Sequence, residues 1–253
     1  MNTFILAGGK GTRFREETIL KPKPMIEINN VPMLIHIINH YRYYGQNQFT
    51  ILAGIKIDYI IEYFKSNFKE ISDNTFKYFD SQVFVLDTGE ETMTGGRIKR
   101  GIETLKDDQF MLTYGDGISN VNISNLILFY EENNFDAVVT AVRPPARFGR
   151  LKIDNKNVLE FGEKNQADEG WINGGFFVLD KNIIDYIPDD ETIFEKGPLE
   201  KLSNDWFFGA YDNSPIRWDL ERCKKSLATR RKGFSKYADF QFAKKIIKEQ
   251  QKK

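Results

Sequence analysis

The chain has 253 residues, of which 41% are hydrophobic and 21 are Phe, enough to form a sizeable apolar core. Its 36 basic and 36 acidic residues cancel, so the composition gives no support for nucleic acid or an anionic membrane as a bulk partner. No apolar run approaches the roughly 20 residues that a membrane-spanning helix requires, and the single cysteine, Cys223, favours a reducing cytoplasmic location.

The first half of the chain alternates between strand and helix patterns. Short apolar runs predict buried strands, and apolar residues at intervals of three and four predict helices. The predicted strands are 3–7, 49–53, 82–86, 110–114 and 137–142, and the predicted helices are 32–44, 57–68, 95–105 and 123–133. This alternation predicts right-handed βαβ units and a mostly parallel sheet in an α/β fold.

The pattern changes after the two prolines at 144–145. Shorter segments at 150–153, 158–161 and 171–179 predict antiparallel ribbons attached to the sheet, with helices near 182–186 and 198–203 and a last helix at 237–249. Because the chain shows no internal repeat and no low-complexity linker, we expect a single α/β domain over residues 1–253.

The first predicted strand leads directly into a glycine-rich loop, Gly-Gly-Lys-Gly-Thr-Arg at 8–13. Glycines there let backbone N–H groups approach an anion closely, and Arg13 can make a bidentate contact with phosphate oxygens. The Lys-Pro-Lys-Pro segment at 21–24 cannot be a regular helix, because proline lacks an N–H and pushes the residue before it toward an extended conformation. A stiff segment of this kind would hold its two lysines close to the loop, so the two motifs together predict a polyphosphate site.

The loop differs from two better-known phosphate-binding motifs. A Walker motif requires Gly-Lys followed by Ser or Thr, but Gly11 follows Lys10. The dinucleotide-binding motif Gly-x-Gly-x-x-Gly fits at Gly9 and Gly11 and fails at Phe14. A glycine-rich turn with solvated charges is disfavoured, because the first 25 residues hold five basic side chains and two acidic ones.

A second candidate site residue is Asp116, which follows a predicted buried strand in Tyr-Gly-Asp-Gly at 114–117. Ligands of open α/β sheets bind at the carboxyl ends of the strands, so we expect Asp116 at the same sheet edge as the glycine-rich loop. A carboxylate beside a polyphosphate is favourable chiefly as a Mg²⁺ ligand, since it would otherwise repel the substrate. A turn without a functional role is the alternative, and the nearby loop favours metal binding.

Two further segments carry weaker signals. Thr-Gly-Gly-Arg at 94–97 fits a helix N-terminus that binds an anion or a base edge, or a Thr N-cap with glycines that ease packing; the two glycines favour close approach of a ligand. Glu-Lys at 163–164 and Trp-Ile-Asn-Gly-Gly at 171–175 fit a site that binds a second phosphate and a hydroxyl-rich substrate; the alternative is an exposed ion pair and a turn.

His36 and His40 lie four residues apart on a predicted helix. Because no third metal ligand is evident, we expect them to have packing and surface roles and not to bind a metal.

Several of these motifs together resemble the sugar-phosphate nucleotidyltransferases, and most of all the glucose-1-phosphate cytidylyltransferases among them. The broad likeness lies in Leu-Ala-Gly-Gly-Lys-Gly-Thr-Arg at 6–13 and Lys-Pro-Lys-Pro-Met at 21–25. The narrower likeness lies in shorter motifs, which are Glu-Thr at 17–18, Asp-Thr-Gly at 87–89, Met-Thr-Gly-Gly-Arg at 93–97, Thr-Tyr-Gly-Asp-Gly at 113–117, Arg-Phe-Gly at 147–149, Glu-Lys at 163–164 and Ile-Asn-Gly-Gly-Phe-Phe-Val at 172–178. The resemblance covers about residues 3–200.

The resemblance implies a Rossmann-like three-layer fold with a mostly parallel mixed sheet and small antiparallel ribbons in the C-terminal half. Residues 1–143 would form the nucleotide-binding half and residues 144–253 the half that binds the sugar phosphate. The implied reaction is the Mg²⁺-dependent transfer of the cytidylyl group of CTP to α-D-glucose 1-phosphate, giving CDP-glucose and pyrophosphate by direct in-line attack. The implied protein is a cytoplasmic homo-oligomer that serves surface polysaccharide biosynthesis and has no nucleic-acid or membrane partner.

The resemblance also assigns roles to individual residues. Arg13, Lys23 and Asp116 would be catalytic, and Asp116 and Asp219 would bind Mg²⁺. The nucleotide-binding residues would come from the loop and from three later motifs, and they are Leu6, Ala7, Gly8, Gly9, Gly11, Thr12, Arg13, Lys23, Thr94, Gly95, Tyr114 and Gly115.

On the acceptor side, the resemblance implies that Lys164 receives the phosphate of the sugar, and that Asn173 and Gly174 contact the sugar itself. The stretch around Asp219 departs from the family pattern, because it lacks the Phe-Trp pair and the Thr of the usual Met-Asp-Thr. The alternatives are therefore the same chemistry with another phosphorylated acceptor, or with UTP or dTTP. A non-catalytic, nucleotide-sensing subunit on the same fold is a further alternative.

Overall fold

The computed structural model describes residues 1–9, 21–142, 150–154, 157–162, 171–205, 208–212 and 217–219. The predictions at Gly11, Thr12, Arg13 and Lys164, and the helix predicted at 237–249, lie outside these residues. Within the described part of the chain, no helix has the length and apolar character needed to cross a membrane.

Strands and helices alternate through the first half of the chain, as the apolar pattern predicts, and short strands predominate in the second half. The strands are β1 (Asn2–Leu6), β2 (Glu27–Ile28), β3 (Val31–Pro32), β4 (Gln48–Ala53), β5 (Lys69–Ser72), β6 (Thr75–Tyr78), β7 (Ser81–Asp87), β8 (Gln109–Tyr114), β9 (Gly117–Ser119), β10 (Ala137–Val142), β11 (Arg150–Asp154), β12 (Asn157–Gly162), β13 (Ile172–Asp180), β14 (Phe208–Asp212) and β15 (Arg217–Asp219). The helices are α1 (Met33–Tyr43), α2 (Ile57–Asn67), α3 (Thr94–Ile102), α4 (Ile123–Glu131) and α5 (Pro198–Asn204), with 3₁₀ segments at Lys23–Met25 and Lys181–Tyr186.

Nine strands of the described residues form a mixed sheet at the centre of the fold, in the order β14-β10-β13-β8-β1-β4-β7-β6-β5. Its middle is parallel, because β1 pairs in parallel with β4 and β8, and β4 pairs in parallel with β7. The predicted βαβ units and the predicted ribbon of β11 and β12 are confirmed. The segment predicted as a ribbon at 171–179 is instead β13, which lies inside the main sheet, antiparallel to β8 and β10.

Helices cover both faces of the sheet, which gives the three layers that the resemblance implies. One apolar cluster joins the sheet to α1, α2 and α4, and the other joins it to α3, α5 and the 3₁₀ segment at Lys181–Tyr186. Successive residues of β1 show the division, since Ile5 belongs to the first cluster and Phe4 and Leu6 belong to the second. Both faces of β1 are therefore covered, as expected for a central parallel strand.

The sheet topology brings distant motifs to one place. Leu6 at the end of β1 lies opposite Tyr114 at the end of β8, so the glycine-rich loop and the Tyr-Gly-Asp-Gly motif leave the sheet side by side. The short strand β15 adds a third segment, because the backbone of Asp219 pairs with Gly117 in β9. Residues 6–9, 114–117 and 219 are thereby gathered at one end of the central strands.

Candidate active site

A cavity of about 330 Å³ lies at the carboxyl ends of β1 and β8. The predicted site residues that line it are Leu6, Ala7, Gly8, Gly9, Lys23, Thr94, Tyr114, Gly115 and Asp116. Arg97 and Met93, which the sequence analysis quoted only as parts of a motif, also line it. The fold thus gathers residues from the glycine-rich loop, the Lys-Pro-Lys-Pro segment and two later motifs around one space.

Lys23 and Asp116 form an ion pair in the wall of this cavity. Lys23 begins a short 3₁₀ segment, Lys23–Met25, so the extended conformation predicted for it as the residue before Pro24 is wrong; Pro22, which precedes it, is extended. The two side chains are 22% and 30% exposed, so both remain accessible to a ligand. A polyphosphate can replace the carboxylate as the partner of the Lys23 ammonium group, because it is negatively charged. A divalent cation can replace the ammonium group as the partner of the Asp116 carboxylate, because it is positively charged.

Gly115 allows the two segments that carry this pair to approach each other. Its N–H donates to the carbonyl oxygen of Leu6 at 2.9 Å, which continues the pairing of β8 with β1. A Cβ at this position would lie 2.7 Å from that oxygen and 2.8 Å from Cγ of Pro24. A side chain there would therefore push the Lys-Pro-Lys-Pro segment away from β8.

Arg97 is 3% exposed and holds together the loops that surround the cavity. Burial lowers the pKa of its guanidinium, although an arginine stays protonated in proteins. The guanidinium donates at 2.6–3.2 Å to acceptors from three segments of the chain, which are the carbonyl oxygens of Gly8, Ala53, Gly89 and Glu90 and Oγ1 of Thr88. Sequence reasoning missed this role; the available signal was a cation on an otherwise apolar and glycine-rich helix face.

The glycines near Arg97 have a packing role. A Cβ at Gly8 or at Gly54 would overlap with the Arg97 guanidinium. Gly9, in contrast, is exposed, and a Cβ there would have no atom of the described residues within 4 Å. The packing of Arg97 therefore requires Gly8, whereas Gly9 faces open space.

The start of α3 is packed against the segment at 190–192. The N–H of Gly95 donates to the carbonyl oxygen of Thr192 at 2.8 Å, and a Cβ at Gly95 would lie 2.7 Å from that oxygen. A Cβ at Gly96 would lie 2.6 Å from Cα of Asp190. Protein atoms fill the space at both glycines, which supports the packing interpretation; a contact between Gly95 and a nucleotide stays a prediction.

Glu195, which sequence reasoning did not single out, connects two walls of the cavity. Its Oε1 accepts from the Tyr114 hydroxyl at 2.7 Å, and its Oε2 accepts from the Thr94 hydroxyl at 2.8 Å. Asn173 does not line the cavity but donates through Nδ2 to the Tyr114 hydroxyl at 3.2 Å. Gly174 is buried, and a Cβ there would lie 2.6 Å from a carbonyl oxygen of β10. Asn173 therefore remains a candidate for ligand contact, whereas Gly174 packs between strands.

The predicted metal ligands come together at the level of the backbone. Asp116 lines the cavity, and Asp219 pairs with Gly117 next to it. The side chains of the described residues contain no cluster of three or more His, Cys, Asp or Glu that could hold a metal by itself. Mg²⁺ typically takes one or two carboxylates and completes its shell with water and phosphate oxygens. This donor set fits a Mg²⁺ ion that arrives with a nucleotide.

Comparison with known proteins identifies the family of this chain. Residues 2–201 match the Nucleotidyl transferase family. The chain is 42% identical over 226 residues to the glucose-1-phosphate cytidylyltransferase of Salmonella typhi, with 84% of this chain and 88% of that protein covered. It is 31% identical over 200 residues to the D-glycero-alpha-D-manno-heptose 1-phosphate guanylyltransferase of Campylobacter jejuni, covering 78% and 84%.

Solved structures show the same fold. HddC from Yersinia pseudotuberculosis, in a complex with GMP-PN, superposes with a TM-score of 0.66 and 25% identity over 90% of this chain and 98% of that one. The family match spans most of the chain and includes the glycine-rich loop, the Lys-Pro-Lys-Pro segment and the residues that line the cavity. The resemblance inferred from the motifs is confirmed, and the chain is an enzyme that belongs to the Nucleotidyl transferase family.

Proposed function

We propose that this chain transfers the cytidylyl group of CTP to α-D-glucose 1-phosphate, which gives CDP-glucose and releases pyrophosphate. The observation that carries the proposal is the meeting of Lys23, Asp116 and the glycine-rich loop around one cavity at the ends of β1 and β8. The choice of nucleotide and acceptor rests on 42% identity, over 84% of the chain, to a relative that is named for this reaction.

The nucleotide binds with its phosphates along the glycine-rich loop. Gly9 leaves open space in which backbone N–H groups can approach phosphate oxygens, and Arg97 holds the neighbouring Gly8 carbonyl in place. Because the Gly8 carbonyl is held before the substrate arrives, less free energy is lost in ordering this part of the site on binding. Arg13 and the loop residues Gly11 and Thr12 complete the contact with the β- and γ-phosphates.

Asp116 and Asp219 hold Mg²⁺ in this proposal. The ion, when bound, supplies positive charge that neutralises the phosphate oxygens. The position of Asp116 in the cavity wall, next to Lys23, supports this role. The pairing of β15 with β9 supports the participation of Asp219, because it brings that backbone to the residue that follows Asp116.

The transfer is a direct displacement at the α-phosphorus of CTP. An oxygen of the sugar phosphate forms the new P–O bond as the bond to pyrophosphate breaks, and because that oxygen is already anionic the step needs no general base. Lys23 stabilises the negative charge on the α-phosphate, while Lys164 and Asn173 bind the phosphate and a hydroxyl of the acceptor. Positioning and electrostatic stabilisation therefore account for most of the rate enhancement.

The remaining parts of the proposal concern the organisation of the protein. Residues 1–143 form the nucleotide half and residues 144–253 the acceptor half of one domain. Lys23 and Asp116, which pair in the cavity wall, both come from residues 1–143, which supports this division into two halves. We further propose that the enzyme acts in the cytoplasm as a homo-oligomer.

A substrate matrix tests the function. Pyrophosphate release is measured for each nucleoside triphosphate with each of several sugar 1-phosphates, in the presence of Mg²⁺. CTP with glucose 1-phosphate is expected to give a kcat/KM at least about tenfold above any other pair. Failure of CTP to react with every acceptor would contradict the proposal, and turnover with any pair would exclude a non-catalytic subunit.

A second candidate keeps the chemistry and changes the acceptor. The 31% identity to a guanylyltransferase that is named for a heptose 1-phosphate favours this candidate, because the same family accepts different sugars and bases. In the substrate matrix, the highest kcat/KM with a heptose 1-phosphate would support it.

A further inference from the structure

We propose that Glu195 is a positioning residue, which orients Asn173 through Tyr114 and thereby sets the affinity for the sugar phosphate. The inference rests on the proposed function, in which Asn173 contacts the acceptor. Glu195 lies just before α5, and both of its carboxylate oxygens accept hydrogen bonds from residues in the cavity wall.

A backbone donor holds one end of the Asn173 amide, and the relay holds the other. The N–H of Gly175 donates to Oδ1 of Asn173 at 2.7 Å. A backbone N–H cannot accept a hydrogen bond, so the oxygen of the amide must face Gly175 and the nitrogen must face the other way. That nitrogen lies 3.2 Å from the Tyr114 hydroxyl, to which it can only donate.

The direction of the hydrogen bond between Tyr114 and Glu195 follows from that of the bond between Asn173 and Tyr114. Since its hydroxyl oxygen accepts from Asn173, its own proton is available for an acceptor, and Oε1 of Glu195 lies 2.7 Å away. A carboxylate has no proton to donate, so it requires Tyr114 to be the donor. The three side chains form a relay in one direction, from Asn173 to Tyr114 to Glu195, and hydrogen bonds to a charged group are the stronger ones.

The second oxygen of Glu195 anchors the carboxylate to the nucleotide side. Oε2 accepts from the hydroxyl of Thr94 at 2.8 Å, and Thr94 is the first residue of α3. The same hydroxyl accepts from the N–H of Phe194 at 2.9 Å. If Glu195 is removed, Thr94 therefore keeps the hydrogen bond from Phe194, whereas Tyr114 loses the carboxylate that accepts its proton. The acceptor site is expected to lose more affinity than the nucleotide site.

Replacement of the carboxylate tests the relay. Glu195→Ala is expected to raise the KM for glucose 1-phosphate about tenfold, the size expected when one charge-assisted hydrogen bond is lost. The KM for CTP is expected to rise less than about threefold. Glu195→Gln keeps one acceptor oxygen and is expected to give a smaller increase; it also provides a test if the alanine variant does not fold. Glu200→Gln, an exposed carboxylate on α5, is the matched control and should leave both KM values unchanged.

A double-mutant cycle separates the relay from a merely structural role. Tyr114→Phe removes the hydroxyl through which the relay passes, so adding Glu195→Ala to it should raise the KM for glucose 1-phosphate no further. Additive effects, equal increases in both KM values, or a lower melting temperature with unchanged KM would overturn the proposal. Turnover by the wild type with unchanged KM in the Glu195 variants contradicts only the relay, whereas a wild type without turnover contradicts the proposed function and the relay with it.

Discussion

Lys23 and Asp116 form an ion pair although they lie 93 positions apart in the chain. The contact depends on the parallel pairing of β1 with β8 and on the absence of a side chain at Gly115. The sequence predicts a phosphate site at one residue and a metal site at the other. The ion pair shows that the two residues are adjacent, so the two predicted sites share one cavity.

Replacement of the Asp116 carboxylate tests its role as a metal ligand. Asp116→Asn is expected to lower kcat by at least about 100-fold, because an amide carries no charge for Mg²⁺. The melting temperature should change little, because the pair with Lys23 is partly exposed. Asp108→Asn breaks a surface ion pair with Lys181 and is the matched control, with kcat unchanged. Full activity in the Asp116 variant would refute a metal role for this carboxylate.

The two lysines of the Lys-Pro-Lys-Pro segment are expected to differ in function. Lys23→Met should lower kcat/KM for CTP by about 100-fold, since it removes the charge that lies in the cavity wall. Lys21 pairs with Glu27 near the surface, so Lys21→Met should change kcat/KM less than about threefold. Initial rates at varied CTP concentration measure both effects. Similar losses in the two variants would mean that the segment acts only through its overall charge.

Gly115 is expected to be intolerant of any side chain. Gly115→Ala should lower the free energy of unfolding by about 2 kcal/mol, because the new Cβ would meet the Leu6 carbonyl and Pro24. Gly9→Ala is the control within the same cavity, and it should change stability by less than about 0.5 kcal/mol because its Cβ would have open space. Denaturant unfolding measures both values. Equal stability of the two variants would contradict the close approach at Gly115.

Arg97 is expected to stabilise the loops around the cavity. Arg97→Lys keeps the charge but cannot reach all of the loop acceptors, so the free energy of unfolding should fall by about 3 kcal/mol. Arg100 lies on the same helix and pairs with Asp190 at the surface, and Arg100→Lys should cost less than about 1 kcal/mol. Denaturant unfolding distinguishes the two. Equal costs would show that the buried hydrogen bonds of Arg97 contribute little.

Burial of His40 predicts a loss of stability in acid. His40 is 6% exposed, and its Nε2 has no hydrogen-bond partner among the described residues. Burial lowers the pKa of His40 to about 4 from its ordinary value of 6.5, so the unfolded chain binds a proton more readily than the folded one. The stability that neutral His40 contributes is fully present above pH 6.5 and is lost as the pH falls toward 4.

This pH dependence can be measured with one substitution. Between pH 7.5 and pH 5, His40 should account for about 2 kcal/mol of lost unfolding free energy. His40→Phe removes the titrating group, so its stability should fall by about that much less than the stability of the wild type. The remaining histidine effect belongs to His36, whose pKa is also lowered by burial. Parallel curves for wild type and variant would contradict the prediction.

The strands and helices of the first half could be predicted because their apolar periodicity is strong. Each predicted strand up to 142 is present within one or two residues at its ends, and so are the helices at their starts. The hairpin of β5 and β6 was not predicted, because all of β5 is exposed and shows no alternation. The position of β13 inside the main sheet was also missed, since local pattern does not say which strand will be the neighbour.

The candidate site was only partly predictable, because local motifs and distant contacts carry different information. The sequence by itself determined the glycine-rich loop, the stiff lysine segment and the acid after a buried strand, since each depends on backbone chemistry within a few residues. Only the tertiary structure decided which atoms those residues meet. The partners of Arg97 and Glu195 are backbone and hydroxyl groups from distant parts of the chain, which sheet pairing and burial bring within hydrogen-bond distance.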